Sequence, residues 1–155
     1  MAGLVTLGAI LLVALPSIAH DLGEHAAEAR GRIVMVGHLL HYHPAFLRLR
    51  ELVSQGALGR LHCIYANRLN LGRFRRQEDA FWSLTPHDIS MILALAEGMP
   101  LTVGASGSEH LQDRVADVVR AEMAFADGIN AHIFASWLYP YKEQKLIAAG
   151  DRGWE

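Results

Sequence analysis

His87 and Asp88 stand side by side at the start of a predicted helix, where an imidazole and a carboxylate could exchange protons with a ligand. Pro86 suits the first helical turn, since that turn makes no use of its missing N–H. A buried helix is then predicted, because an apolar run follows at Ile89, Met91, Ile92, Leu93 and Leu95. The same two residues could serve only as a helix cap, so acid–base chemistry and capping both remain open.

Three histidines, His38, His41 and His43, share one short segment with the spacing H-x-x-H-x-H. Imidazoles this close could bind a metal ion, but zinc sites show firmer ligand spacing, and the segment holds neither cysteine nor carboxylate. A loop that follows a strand is the simpler interpretation. We therefore predict no metal site.

A basic segment with asparagines interleaved runs from Asn67 to Arg76 and contains Arg68, Asn70, Arg73 and Arg75. Guanidinium groups suit phosphates and carboxylates, so a diphosphate-linked or acidic substrate would fit. Glu78 and Asp79 follow closely, and a solvated loop of balanced charge explains the segment equally well.

The segment from Trp137 to Glu143 ends a predicted strand with aromatic residues and a lysine. Tyr139 and Lys142 could form the wall of a sugar site, because aromatic rings with one cation suit a sugar ring. Packing at the edge of a sheet is the alternative.

These residues need a framework, and the hydrophobic pattern predicts one. Helices are expected over 21–30, from Pro44, and from Pro86 to about Gly98; strands are expected over 33–36, 61–71, 101 onward, 115–125, 129–137 and 145–149. Leu61, Cys63 and Tyr65 are expected on one face of their strand. Successive antiparallel strands after the helices predict the α+β class, with an open, mostly antiparallel β-sheet and helices packed on one face.

The composition narrows the possible partners. A net charge of −2 gives no drive toward nucleic acid or acidic membranes. The single cysteine, Cys63, excludes an internal disulfide and weakly favours a reducing compartment. Residues 2–19 are apolar and uncharged, but no lysine or arginine precedes them, which disfavours a signal or anchor segment. We expect a cytoplasmic protein.

Several segments, in their order, resemble the Gfo/Idh/MocA family of NAD(P)-dependent sugar oxidoreductases. Residues 30–38 resemble the last strand of that family's nucleotide-binding domain, and residues 41–46 are similar to the start of its second domain. Residues 56–61 resemble the turn into the first sheet strand, and 82–90 the active-site helix of members linked to polysaccharide and nucleotide-sugar pathways. The resemblance implies that 1–37 is a remnant or altered edge of a nucleotide-binding domain and that 38–155 is a substrate and oligomerisation domain.

The resemblance also implies roles for individual residues. His87 corresponds to the catalytic histidine, which helps to move the proton while the hydride goes to the nicotinamide of NAD or NADP. Gly37 and His41 would lie near that cofactor. The substrate-binding residues would be Asn67, Arg68, Arg75, Trp82, Asp88, Tyr139 and Lys142.

The sequence also departs from the family pattern. Ser83 stands where an aspartate usually precedes the histidine by four residues, and neither the glycine-rich dinucleotide loop nor the Glu-Lys-Pro motif is present. We therefore expect a truncated oxidoreductase chain that is inactive alone. The alternative is a non-catalytic sugar-binding or assembly module, possibly membrane-anchored or secreted. A homo-oligomer formed through the open sheet is expected in both cases.

Overall fold

The architecture is known from a computed structural model that describes residues 37–155 except 73 and 77. The helix predicted over 21–30, the strand over 33–36, the apolar segment 2–19 and nearly all of the unit 1–37 lie outside the described residues. Within them, a short 3-10 helix (Leu39–Tyr42) is followed by α1 (Pro44–Ser54), β1 (Leu61–Leu69), α2 (Ala80–Leu84), α3 (Pro86–Ala96), β2 (Thr102–Ser108), β3 (Val118–Ala124), β4 (Asn130–Ser136), β5 (Glu143–Gly150) and β6 (Gly153–Trp154).

The six strands form one open sheet in the order β2-β3-β4-β1-β5-β6. Four neighbouring pairs are antiparallel, and β1 and β4 are parallel, with Arg68 opposite Ala135. The predicted class, α+β with an open and mostly antiparallel sheet, is thus confirmed. The predicted succession of antiparallel strands was wrong for β1, which lies between β4 and β5. Two parallel strands need a crossover connection, and here α2, α3, β2 and β3 supply it.

The helix α3 packs through a single stripe of side chains. Asp88, Met91, Ile92 and Leu95 are buried and follow the i, i+3, i+4, i+7 spacing of one helix face. Asp88 therefore points toward the core, while His87, one residue earlier, is only partly buried at the flank. The helix begins at Pro86, as predicted from the proline.

The covered face of the sheet carries small or aliphatic side chains in alternate positions of β3 and β4. They are Val119, Ala121, Met123, Ala131, Ile133 and Ala135. A sheet face with several alanines lets the helices lie close to it.

The prediction that Leu61, Cys63 and Tyr65 share one face was wrong. The pairing of β1 with β5 shifts register between Leu61 and Cys63, so the alternation restarts there. Leu61 is consequently buried, whereas Tyr65 is 43% exposed on the opposite face. In the portion of the chain that the structure covers, no helix has both the length and the apolar character needed to cross a membrane.

Candidate functional site

One end of the sheet collects three loops, which carry the predicted site residues Arg75, Tyr139 and Lys142. Because β1 and β4 are parallel, both finish at this end, and the loops after them are joined by the loop between β2 and β3. We call residues 70–79, 109–117 and 137–142 the loop cluster. Its loops are tied together by backbone bonds: Trp137 N–H donates to the Asp117 carbonyl at 2.9 Å, and Ala80 N–H donates to the Ala116 carbonyl at 2.8 Å.

His87 occupies the amino end of α3, directly after the loop cluster and α2. Buried Thr85 separates the two helices and donates its hydroxyl hydrogen to the Phe81 carbonyl at 2.9 Å. The His87 ring meets His38 edge-on, with ring centroids 5.8 Å apart. Among the described residues, neither His87 Nδ1 nor His38 Nδ1 has a hydrogen-bond partner, although both atoms are buried. Such an atom costs about 1–3 kcal/mol, so this pair indicates a place where another molecule or another part of the protein binds.

His41 is tied to α3 through Ser90. The Ser90 hydroxyl donates to the His87 carbonyl at 2.7 Å, and His41 Nε2 lies 3.1 Å from Ser90 Oγ. Since the only hydroxyl hydrogen is already used, His41 Nε2 must be the donor, which fixes its tautomer. Gly37 precedes this turn and accepts a backbone bond from Leu39 N–H at 2.9 Å. Of the two predicted cofactor residues, His41 thus contacts the helix that carries His87, and Gly37 lies at the exposed start of the turn.

The three histidines of the H-x-x-H-x-H segment make different contacts. His38 and His41 lie 5.9 Å apart between ring centroids, whereas His43 Nδ1 accepts the Ala45 N–H at 3.2 Å and caps α1. Within 37–155, leaving aside 73 and 77, no group of three or more His, Cys, Asp or Glu side chains is arranged to hold a metal ion. Burial lowers the pKa of His38, and the nearby His87 and His41 lower it further.

Arg68 and Asp88 form an ion pair beneath α3, with Arg68 Nε donating to Asp88 Oδ2 at 2.5 Å. Burial raises the pKa of Asp88 above its usual value, although the Arg68 hydrogen bond and charge oppose this. Both side chains line a cleft of about 340 Å³ between α1, α3 and β5, together with His43, Gln144 and Lys145. The pair therefore joins the core of the domain to an accessible cleft.

The remaining predicted substrate residues are more dispersed. Asn67 lies on the other face of β1 from Arg68 and donates to Glu143 Oε1 at 2.6 Å. Arg75 pairs with Glu78, and its carbonyl accepts a 3.3 Å bond from Gln112 Nε2. Trp82 lies in α2, partly buried against Phe81. The exposed Tyr139 and Lys142 belong to the loop cluster.

The sequence analysis missed the pair formed by His110 and Asp117. Asp117 is buried, and His110 Nδ1 lies 2.7 Å from its Oδ1. Burial alone would raise the pKa of Asp117, but the hydrogen bonds from the His110 ring and from two backbone N–H groups lower it below its usual value. The available signal was an acidic residue directly before the apolar pair Val118 and Val119.

A family model described as the GFO/IDH/MocA C-terminal domain matches residues 46–154. No curated protein sequence matches the chain.

Solved structures share this fold. The UDP-N-acetylglucosamine 3-dehydrogenase GnnA from Acidithiobacillus ferrooxidans is 26% identical with a TM-score of 0.69, and the match covers 84% of this chain and 42% of that one. An aldose-aldose oxidoreductase from Caulobacter crescentus complexed with glycerol is 18% identical with a TM-score of 0.74, and the match covers 84% of this chain and 42% of that one. A scyllo-inositol dehydrogenase from Lactobacillus casei with bound NAD(H) and scyllo-inositol is 16% identical with a TM-score of 0.68, and here the match covers 83% of this chain and 43% of that one. The chain spans less than half of the length of each.

Proposed function

Since the chain belongs to the GFO/IDH/MocA family through a C-terminal domain over residues 46–154, we propose that it is the substrate-side part of an oxidoreductase that oxidises a hydroxyl of a sugar or nucleotide-sugar. The observation that carries the proposal is His87. It sits half-buried at the amino end of α3, and its Nδ1 has no hydrogen-bond partner among the described residues.

Oxidation of a secondary alcohol removes a proton and a hydride, and His87 is our candidate for the proton. An imidazole can accept a hydroxyl proton near neutral pH when it lies within hydrogen-bond reach of that hydroxyl. Because its pKa is lowered, the His38 ring beside His87 is neutral near neutral pH. The His38 ring therefore does not repel a proton that arrives on His87. The hydrogen bond between His41 and Ser90 would serve to position the turn that contains His38 and His41.

The hydride acceptor would be NAD or NADP, and the described residues do not fit a dinucleotide by themselves. Dinucleotides bind over a glycine-rich turn at a helix start within parallel βαβ units. The sequence contains no G-x-G-x-x-G, and the one parallel strand pair of residues 37–155, β1 with β4, is not such a unit. We propose that a separate nucleotide-binding unit meets this domain at Gly37 and His41.

The substrate would be a ring with several hydroxyl groups. Support comes from what three similar proteins are named for, a UDP-linked amino sugar, an aldose and an inositol. Arg68 and Asp88 offer a donor and an acceptor at the cleft. Asn67, Arg75, Trp82, Tyr139 and Lys142 remain proposed contacts.

An assembly module without catalysis is the second candidate, and the uncovered face of the sheet favours it. That face carries Tyr65 and Trp154, both exposed, and Tyr65 stacks on His132 at 5.4 Å between ring centroids. Exposed aromatic surface of this kind is typical of interfaces.

A hybrid enzyme tests the catalytic proposal. The nucleotide-binding part of the 26% identical dehydrogenase is fused ahead of Gly37, and reduction of NAD(P)⁺ is followed with a panel of sugars and nucleotide-sugars. Replacing His87 by Gln should lower kcat by about a hundred- to ten-thousandfold, the usual contribution of general acid–base catalysis. His132→Gln, on the uncovered face, is the control and should leave kcat unchanged. Equal rates for the parent and His87→Gln would refute the role of His87, and a folded hybrid that oxidises no substrate would favour the assembly module.

A further inference from the structure

The loop between β2 and β3 holds a second imidazole at the same end of the sheet as His87. Asp117 is 1% exposed and accepts three hydrogen bonds: from His110 N–H at 2.7 Å, from Leu111 N–H at 2.8 Å and from the His110 ring. A carboxylate can only accept, so the proton shared with the ring sits on His110 Nδ1. In the neutral ring, the other nitrogen, Nε2, then carries a lone pair.

On the exposed side of the His110–Asp117 pair, the neutral His110 ring presents Nε2 as a hydrogen-bond acceptor of fixed direction. The His110 side chain is 54% exposed, and Nε2 has no hydrogen-bond partner among the residues that the structure covers. A carboxylate on one ring nitrogen fixes both the tautomer and the direction of the other nitrogen. The His62–Asp151 pair, at the far end of β1, differs from the His110–Asp117 pair in that both of its side chains are largely exposed.

The surroundings of His110 favour a neutral ligand. The loop cluster contains five basic and five acidic residues, so it offers no excess of positive charge for an anion. It also exposes apolar side chains, which suit the C–H faces of a sugar ring; they are Leu71, Phe74, Leu111, Tyr139 and Tyr141. Gln112 ties the His110 loop to the loop after β1 through the Arg75 carbonyl.

We propose that His110 is a substrate-binding residue whose Nε2 accepts a hydrogen bond from a hydroxyl of a neutral polyhydroxylated ring, and that buried Asp117 is its positioning residue. The inference rests on the proposed function and adds to it a contact from the loop between β2 and β3. In this proposal His87 handles the proton of the reacting hydroxyl, and His110 holds a different hydroxyl of the substrate.

The test follows the histidine ring nitrogens of the purified chain by ¹H–¹⁵N NMR. N-acetylglucosamine and scyllo-inositol are the neutral probes, and inorganic pyrophosphate is the anionic probe. The neutral rings should shift the Nε2 signal of His110 and leave the His62 signals in place. The spectrum of the free chain should show the proton of His110 on Nδ1.

A pair of variants separates binding from structure. His110→Asn keeps an amide donor for Asp117 near the position of Nδ1 but has no atom at the position of Nε2. It should retain the melting temperature of the parent and weaken binding of the neutral ring by roughly three- to tenfold, the effect of one neutral hydrogen bond. His62→Gln is the matched control and should bind as the parent does.

Four results would overturn the inference. If the rings shift His87 and not His110, the inference fails while the proposed function stands. If pyrophosphate alone shifts His110, the cluster is an anion site. If His110→Asn binds the rings as tightly as the parent, Nε2 makes no contact. If no probe shifts any histidine, both the inference and the proposed substrate class are contradicted.

Discussion

His38 shows how a neighbourhood sets the properties of one side chain. Its ring is crowded by His87 and His41, and its Nδ1 is buried without a partner in the described part of the chain. The charged form is therefore disfavoured in the folded state, and the pKa of His38 lies below 6.5. This property belongs to the cluster and is absent from an isolated histidine.

A stability measurement tests the His38 cluster. The unfolded chain takes up the His38 proton as the pH falls through about 6.5, and the folded chain takes it up only at lower pH. The stabilisation is thus complete above 6.5 and is lost as the pH falls below that value. We expect the melting temperature of the parent to fall more than that of His38→Gln between about pH 8 and pH 5.5.

The comparison of the two proteins cancels the titration of groups that do not interact with His38, including the oppositely shifted Asp88. His132→Gln, a substitution on the uncovered face, serves as control and should follow the parent. Identical pH profiles for the parent and His38→Gln would show that the cluster does not disfavour the proton.

Arg68 and Asp88 are two residues whose roles depend on how the core is packed. The helix periodicity turns Asp88 inward, and a buried carboxylate without a partner would be strongly destabilising. Arg68 supplies that partner from β1. Their pairing explains both residues structurally, and their place at the cleft keeps them candidates for substrate binding.

At the scale of elements, the end of β5 packs directly against the turn before β1. A Cβ atom at Gly150 would lie 2.4 Å from the Leu58 carbonyl oxygen and 2.7 Å from that of Arg60. Backbone oxygens cannot swing aside as a flexible side chain can. The glycine is therefore required by close approach of two backbone segments.

Gly150→Ala should consequently destabilise the domain by about 1–3 kcal/mol, the cost of overpacking a well-packed site. Gly104→Ala is the matched control, because Gly104 also lies in a strand and no atom lies within 4 Å of its added Cβ. Urea denaturation of both variants measures the difference. An equal change in the two midpoints would contradict the close packing at β5.

At the scale of the whole molecule, the helices cover one face of the sheet and leave the other uncovered. Tyr65 and Trp154 lie exposed on the uncovered face, since both share the face of Ile147 and Ala149 through the strand pairing. An aromatic, partly apolar sheet face fits a second copy of the chain, and we propose self-association there.

Light scattering tests this assembly. The parent should have the mass of an oligomer, and Tyr65→Arg should lower that mass because a charge is placed at the centre of the interface. Leu47→Arg is the control, since Leu47 is 48% exposed on α1, on the helix side. A monomeric parent, or equal masses for the two variants, would contradict association through the sheet.

Much of this architecture could be predicted from local patterns. Pro86 and the apolar residues after it predicted where α3 begins, and alternation predicted β3 and β4. The class of the fold and the family resemblance followed from these segments and their order. The roles given to His87, His41, Gly37 and the substrate residues stay predictions, to be tested as described.

The amino-acid sequence by itself determined the elements, because helix and strand periodicities are properties of neighbouring residues. Only the tertiary structure decided that β1 enters the middle of the sheet, that Asp88 meets Arg68, and that His110 meets Asp117. Strand order depends on contacts between distant segments, and a buried charge finds its partner only once the chain has packed. For that reason the sequence indicated His87 and His41 as candidates, whereas the pairing of His110 with Asp117 emerged only from the packing.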